Sequence, residues 1–187
     1  MRAFIAIPLP DQVKAHLKAC QNQLKYQGLK AAWPRPHTLH LTLKFMGEIS
    51  ETQVDKVSTA MDHALERLRG FEAETAGIGV FPSVKKPRVI WAGVQCPGNA
   101  LENLAKRLDL EIHERAGLAM EKRRFSAHLT LARLKQRVNP RKMVDLIQKF
   151  HTQKKRSFQV REVVLYRSEL QPGGAVHSPL HTVHLSD

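Results

Sequence analysis

The sequence predicts a mixed fold of strands and helices, built as two similar lobes related by an approximate two-fold axis. Three observations predict it. The tetrapeptide His-Leu-Thr-Leu occurs twice, at His40–Leu43 and at His128–Leu131, where the composition would supply roughly 0.006 copies by chance. Each copy closes the same succession of strand, helix, loop and motif strand, with 38 residues from Arg2 to His40 and 40 from Arg88 to His128. A length of 187 residues suits one domain, or two small lobes sharing a core.

The elements follow in order. Arg2–Ile7 is apolar, aromatic and β-branched, hence a strand stopped by Pro8. The run is too short for a signal peptide or membrane helix, so a cytoplasmic location is expected. Pro10-Asp11 opens a helix with Asp11 as its cap; Val13, Leu17, Cys20 and Leu24 recur at helical spacing, and Gly28 ends it. A loop containing Trp33-Pro34-Arg35-Pro36 leads into a strand over 38–46, broken by Gly47. Ser50-Glu51-Thr52-Gln53 is a capping-box pattern. It starts a second helix with Val54, Val57, Met61, Leu65 and Leu68 on one face, closed by Gly70. Residues 71–81 read as a strand in which Gly77 and Gly79 mark a bulge or a close approach.

The second half then repeats the first. After the basic turn Ser83–Pro87, the strand Arg88–Val94 matches Arg2–Ile7. Pro97-Gly98 turns the chain, and Leu101, Leu104, Leu108 and Ile112 mark a helix ended near Gly117. The second motif strand covers 125–134. Asn139-Pro140 starts a short helix whose apolar face is Met143, Val144, Ile147 and Phe150. Past the basic turn Lys154-Lys155-Arg156, Phe158–Leu170 reads as one long strand. Pro172-Gly173-Gly174 turns it into a last strand, 175–185, as a hairpin.

Strand geometry gives the repeated motif its meaning. Successive side chains point to opposite faces, so His40 and Thr42 share one face and Leu39, Leu41 and Leu43 the other. His128 and Thr130 repeat the arrangement. With the leucines on the core, two imidazoles and two hydroxyls face a cleft. Imidazole titrates near neutrality, so one histidine can take a proton while the other gives one. Threonine hydroxyls donate to phosphate oxygens. These are the parts for metal-free, in-line attack at phosphorus, and nothing in the residues says which histidine is the acid. One copy alone would read as a half-buried strand histidine; the duplication in matching contexts changes that.

A formal net charge of +13 and a pI near 10.1 point to an anionic partner, nucleic acid first, against the alternative of a plainly basic surface. Cys20 and Cys96 lie in no metal-ligand spacing and read as free thiols.

The chain resembles the two-histidine phosphoesterase superfamily and, within it, the RNA 2′,3′-cyclic phosphodiesterase family first named for 2′-5′ RNA ligase. Leu39–Glu48 is close to the family's first motif block and Phe125–Arg133 to its second. Arg2–Ile7, Phe81-Pro82, Pro87–Trp91 and Val163–Ser168 match its other strands. Ala127 departs from the pattern, since many members carry proline before the second histidine. The resemblance implies one bilobal α+β domain over 1–187, two interleaved lobes whose antiparallel sheets line a central cleft with helices outside. It implies hydrolysis of a 2′,3′-cyclic phosphate end on RNA to a 2′-phosphate without a cofactor. It makes His40 the general acid for the departing 3′ oxygen and His128 the general base for water, with Thr42 and Thr130 on the phosphate. A bell-shaped pH–rate profile follows. A monomer is expected, since a pseudo-symmetric cleft needs only one chain.

Other residues carry two readings each. Lys44 shares the cleft face of its strand and either meets substrate or is a solvated strand-end lysine. Arg133 matches the motif block but by alternation points away from His128 unless a bulge re-aims it. Arg35, Arg88, Arg123 and Arg124 either line an RNA path or are plain surface. Trp33, Phe45 and Phe125 either stack a base or, the favoured reading, pack in the core. His177, His181 and His184 lack partner ligands at metal spacing, and a zinc site is not favoured. The same acid–base pair could join RNA ends through a 2′-5′ bond, or act on another cyclic or 2′-5′-linked nucleotide. A protein that holds a terminal phosphate without turnover is the alternative outside the enzymes.

Overall fold

Antiparallel pairing gathers nine strands into two sheets among the described residues, which are 1–151 and 154–186 of this computed structural model. In chain order the elements are β1 (Arg2–Pro8), α1 (Asp11–Tyr26), β2 (Ala31–Ala32), β3 (His40–Glu48), α2 (Glu51–Leu65), β4 (Phe71–Phe81) and β5 (Val89–Gln95). Then come α3 (Ala100–Ala116), β6 (His128–Leu134), α4 (Pro140–His151), β7 (Ser157–Val160), β8 (Glu162–Gln171) and β9 (Gly174–His184). One sheet runs β3-β1-β8-β9 and the other β2-β6-β5-β4-β7.

This is the duplicated α+β architecture that the sequence predicts. In each sheet a motif strand pairs with an opening strand, β3 with β1 and β6 with β5. The third strand comes from the other half of the chain. β4 follows α2 yet joins β5, and β8, which comes after α4, joins β1. The helices cross as well: α1 lies against β6, α3 against β3, and α2 packs on α3. Ile5, Leu17, Leu41, Met61, Ile90, Leu108, Ile112 and Leu129, drawn from both halves, are fully buried in one continuous apolar cluster. No helix among the described residues is long and apolar enough to cross a membrane.

Local chemistry explains most boundaries. The capping box forms as expected: Gln53 N–H donates to Ser50 Oγ at 3.2 Å, and Ser50 N–H to Gln53 Oε1 at 3.0 Å. Gly28 ends α1 at φ +75°, a conformation that costs any other residue a Cβ clash. Asp11, however, is the first helical residue rather than the cap, a place taken by Pro10 with no side-chain bond. Gly79 is the close approach: a Cβ there would lie 2.3 Å from the Trp91 ring. Around Gly77 the β4–β5 register slips between Thr75 and Ile78.

Six expectations about the elements are corrected. The first motif strand starts at His40, because Pro36–Thr38 coils into a 3-10 turn closed by Leu39 N–H to Pro36 O at 3.2 Å. It also continues through Gly47 to Glu48, since Met46 bulges out of the pairing and Gly47 (φ +71°) absorbs the bend instead of ending the strand. The second motif strand likewise starts at His128. The expected single strand 158–170 is two strands on different sheets: the chain changes sheet at Arg161, whose carbonyl accepts Leu185 N–H at 2.8 Å. On α4, Leu146 and not Val144 joins the buried face, and Leu68 lies beyond the end of α2.

Candidate active site

Both motif strands reach the boundary between the lobes, and β3 and β6 touch there. Leu41 and Leu129 are fully buried, while His40, Thr42, His128 and Thr130 are half-buried on the opposite strand faces. The two imidazoles are seated by one device. His40 Nδ1–H donates to the carbonyl of Thr38 at 2.7 Å, and His128 Nδ1–H to that of Ser126 at 2.7 Å. A carbonyl only accepts, so the proton sits on Nδ1 in each ring. Nε2 of each has no partner among the described residues, nor do the Thr42 and Thr130 hydroxyls. Each Nε2 therefore presents a lone pair when the ring is neutral and a proton when it is charged.

The surroundings differ. His40 stacks on Phe4 at a centroid distance of 4.6 Å, with His177 at 5.2 Å and Tyr166 at 6.5 Å. Burial in this aromatic box pulls the His40 pKa down to about 4; the Thr38 carbonyl works against that fall, and the neighbouring His177 adds to it. His177 is itself lowered by burial and by His37. His128 meets Phe81 edge-on at 5.0 Å and Trp91 at 6.3 Å. Tyr166 and His177 were not legible as site residues. They reach His40 only because β8 pairs with β1, and β9 with β8.

A second device repeats in both strands. The β1–β3 pairing slips between Thr42 and Lys44, leaving Leu43 as an extra residue, and the β5–β6 pairing slips between Thr130 and Ala132, leaving Leu131. Each bulge puts two buried residues in succession, so the alternation restarts one residue late. This corrects the expectation for Lys44. It leaves the cleft face, is buried, and pairs with Asp109 of α3 while donating to Ala119 O at 3.0 Å. The same shift re-aims Arg133, which is exposed on the face of His128 and Thr130, next to fully buried Ala132.

Each bulged strand is gripped by the helix of the other half. Gln21 on α1, itself buried, donates from Nε2 to Leu131 O at 3.0 Å and to Pro34 O at 2.9 Å. Asp109 on α3 holds Lys44 and accepts Glu121 N–H at 3.0 Å. Gln21 and Asp109 each stand 19 residues before the histidine of their own half, so they are counterparts under the pseudo-two-fold.

The remaining candidates scatter. Phe45, expected in the core, is 53% exposed with the Arg2 guanidinium 5.5 Å from its ring. Trp33 packs partly on the core with Lys25 over its ring at 5.3 Å. Phe125 is half-buried in the loop before His128, beside exposed Arg123 and Arg124. Arg35 reaches the β8–β9 turn at Gly173, and Arg88 is exposed at the start of β5. His181 Nε2 meets Asp62 at 2.8 Å and His184 Nδ1 meets Glu162 at 3.4 Å, well apart from His177 in their partners. Among the described residues no three His, Cys, Asp or Glu side chains gather as a metal site.

Comparison with known proteins agrees with this geometry. The chain is 32% identical over 99% of its length to the RNA 2′,3′-cyclic phosphodiesterase of Methanothermobacter thermautotrophicus, covering 99% of that protein. It is 34% identical to the protein of the same name from Thermus thermophilus, over 99% of this chain and 90% of that one. The solved structure of E. coli LigT complexed with 3′-AMP superposes with a TM-score of 0.78 at 26% identity, covering 100% of this chain and 98% of that one. The pattern of the family described as LigT like Phosphoesterase matches twice in succession, over residues 7–91 and 93–177, one match for each half that carries a seated histidine. A duplicated pair of His-x-Thr strands, two counterpart sockets and a double family match have one common source, and the chain belongs to the LigT-like phosphoesterases.

Proposed function

We propose that this chain, acting as one bilobal monomer in the cytoplasm, hydrolyses 2′,3′-cyclic phosphate ends of RNA to 2′-phosphates without a metal ion. The observation that carries the reading is the matched pair of Nε2 atoms, each freed by a 2.7 Å bond from Nδ1 to a backbone carbonyl. His128 takes the proton of the attacking water, and His40 protonates the departing 3′ oxygen. Thr42 and Thr130 donate to the phosphate, and Arg133 adds charge on the same face. The names of the relatives and the net charge of +13 support an RNA substrate.

The acid role sets a condition. A His40 with a pKa of about 4 is neutral in the empty cleft at neutral pH. The negative phosphate, arriving within hydrogen-bond reach, favours the imidazolium and raises that pKa. Run with an RNA 5′-hydroxyl in place of water, the same pair joins two ends through a 2′-5′ bond.

The test is turnover of a short RNA ending in a 2′,3′-cyclic phosphate, in EDTA, with the product isomer identified. Wild type yields the 2′-phosphate. His40→Ala and His128→Ala each lose about 10²–10⁴-fold in kcat, the usual worth of a general acid or base. Activity that survives either substitution, or that EDTA abolishes, sinks the reading.

A further inference from the structure

The two histidine strands lie in different sheets, so no hydrogen-bonded ladder sets the distance across the cleft. Acid–base chemistry needs that distance held, since a misplacement of about 1 Å can cost about 10²-fold in rate. Other ties have to hold it, and the two sides of the cleft differ in what they offer. Toward β6 the first half reaches over with several. β2 pairs with β6, Ala31 with Leu134 and Ala32 with Arg133. Lys135 N–H donates to Lys30 O at 2.9 Å. Gln21 bonds both to Leu131 O on β6 and to Pro34 O, in the chain that leads to the carbonyl seating His40. From Pro34 onward that chain is a stiff turn, in which Thr38 N–H and Oγ1–H both donate to Arg35 O, at 2.9 and 2.8 Å.

Toward β3 no strand plays the part of β2. β3 is the edge of its sheet. Residues 117–127, which lead to the Ser126 carbonyl seating His128, form neither helix nor strand. Val94 N–H ties the last of them, Ala127, to β5 at 3.2 Å. Lys44 reaches the others. Its ammonium donates to Ala119 O at 3.0 Å and pairs with Asp109 of α3, whose carboxylate accepts Glu121 N–H at 3.0 Å. One side chain of the His40 strand is thereby joined to the loop of His128. The choice of an ion pair is informative, because both side chains are largely buried. Replacing a buried ion pair by apolar residues of similar volume is often neutral for stability. An apolar pair could not, however, hold the Ala119 carbonyl or the Glu121 N–H. We propose that Lys44 and Asp109 are positioning residues for the reaction. They fix the His128 loop against the His40 strand and so set the separation of the two Nε2 atoms, without touching substrate. The inference rests on the two-histidine reading above.

The test separates geometry from stability. In the full-length double variant Lys44→Met/Asp109→Leu both charges go together, so none is stranded, and the urea midpoint is expected to lie close to that of wild type and above that of Lys44→Met alone. The bonds to Ala119 and Glu121 are lost all the same. On a short RNA ending in a 2′,3′-cyclic phosphate, kcat of the double variant is expected to fall about 10–100-fold while KM stays within about twofold, the pattern of a group that acts on the chemical step and not on binding. The Nδ1 proton of His128 is expected to lose its protection from exchange, followed by NMR, while that of His40 keeps it. A double variant as stable as wild type with unchanged kcat overturns the proposal. So does a loss confined to KM, which would place Lys44 in substrate binding. Should the double variant not fold, Lys44→Met alone, its rate divided by the folded fraction, carries the same expectation and the same refutation. Wild type that fails to hydrolyse the RNA refutes the two-histidine reading itself, whereas a variant that keeps its kcat refutes only the positioning role.

Discussion

His40 and His128 are oriented by the same backbone contact, yet the rings around them differ: Phe4, His177 and Tyr166 surround His40, while Phe81 and Trp91 meet His128. The supports behind them differ in kind as well. Behind β3 stands an ion pair, Lys44 with Asp109, whose side chains are 5% and 13% exposed. Behind β6 stands a neutral amide, Gln21, reaching a main-chain carbonyl. A duplicated fold thus holds its two motif histidines in matching settings on supports of unlike chemistry.

Substitutions at the supports test whether they are equivalent. Lys44→Met strands a buried carboxylate and should cost about 3–5 kcal/mol, read as a lowered urea midpoint. Gln21→Leu leaves two carbonyls short of a donor and should cost less, about 1–3 kcal/mol. Equal losses would mean that the pair at Asp109 is effectively solvated. The threonines should behave alike: Thr42→Val and Thr130→Val each lower kcat/KM about 10–100-fold through a lost bond to a charged phosphate, with Thr→Ser retaining activity. A silent member of that pair would place the phosphate off the pseudo-axis.

The smallest expected effect concerns protonation. The usual imidazole pKa is about 6.5, and burial holds His40 near 4 in the folded chain. Between these values the unfolded chain binds a proton that folded His40 refuses. The stabilising contribution of neutral His40 is therefore complete above about pH 6.5 and is lost as pH falls toward 4. His177→Gln removes a neighbouring charge and should move the His40 titration upward, followed by NMR of the ring. A downward move would show that His177 screens His40 rather than opposing it.

The shared strand faces of His40 with Thr42 and of His128 with Thr130 were legible because period-two alternation and duplication are local signals. Helix caps and stops at Ser50, Gln53 and Gly28 were legible for the same reason. What lay hidden depends on partners distant in sequence. A bulge has no residue signature of its own: Leu43 and Leu131 look like ordinary core leucines until their pairing with β1 and β5 is known. One extra residue then reverses the expectation for Lys44 and settles the condition attached to Arg133. His177 could be weighed only as a metal ligand, because nothing near it in sequence announces that a hairpin will carry it to His40. The split of 157–171 into two strands was hidden too, since both parts are equally apolar and β-branched and only the sheet they join differs.

The exchange of β4 and β8 between the sheets has a further consequence. Each half of the chain makes an opening strand and a histidine strand, then gives a later strand, β4 or β8, to the sheet of the other half. A half-length chain would lack that strand and could recover it only from another copy, with a yield that falls on dilution. The short turn Ser83–Pro87 converts that encounter into a ring closure within one molecule, at an effective concentration set by the link and not by the cell. The two imidazoles are then delivered one to one at any protein level, and each half is free to change without spoiling a partner identical to itself.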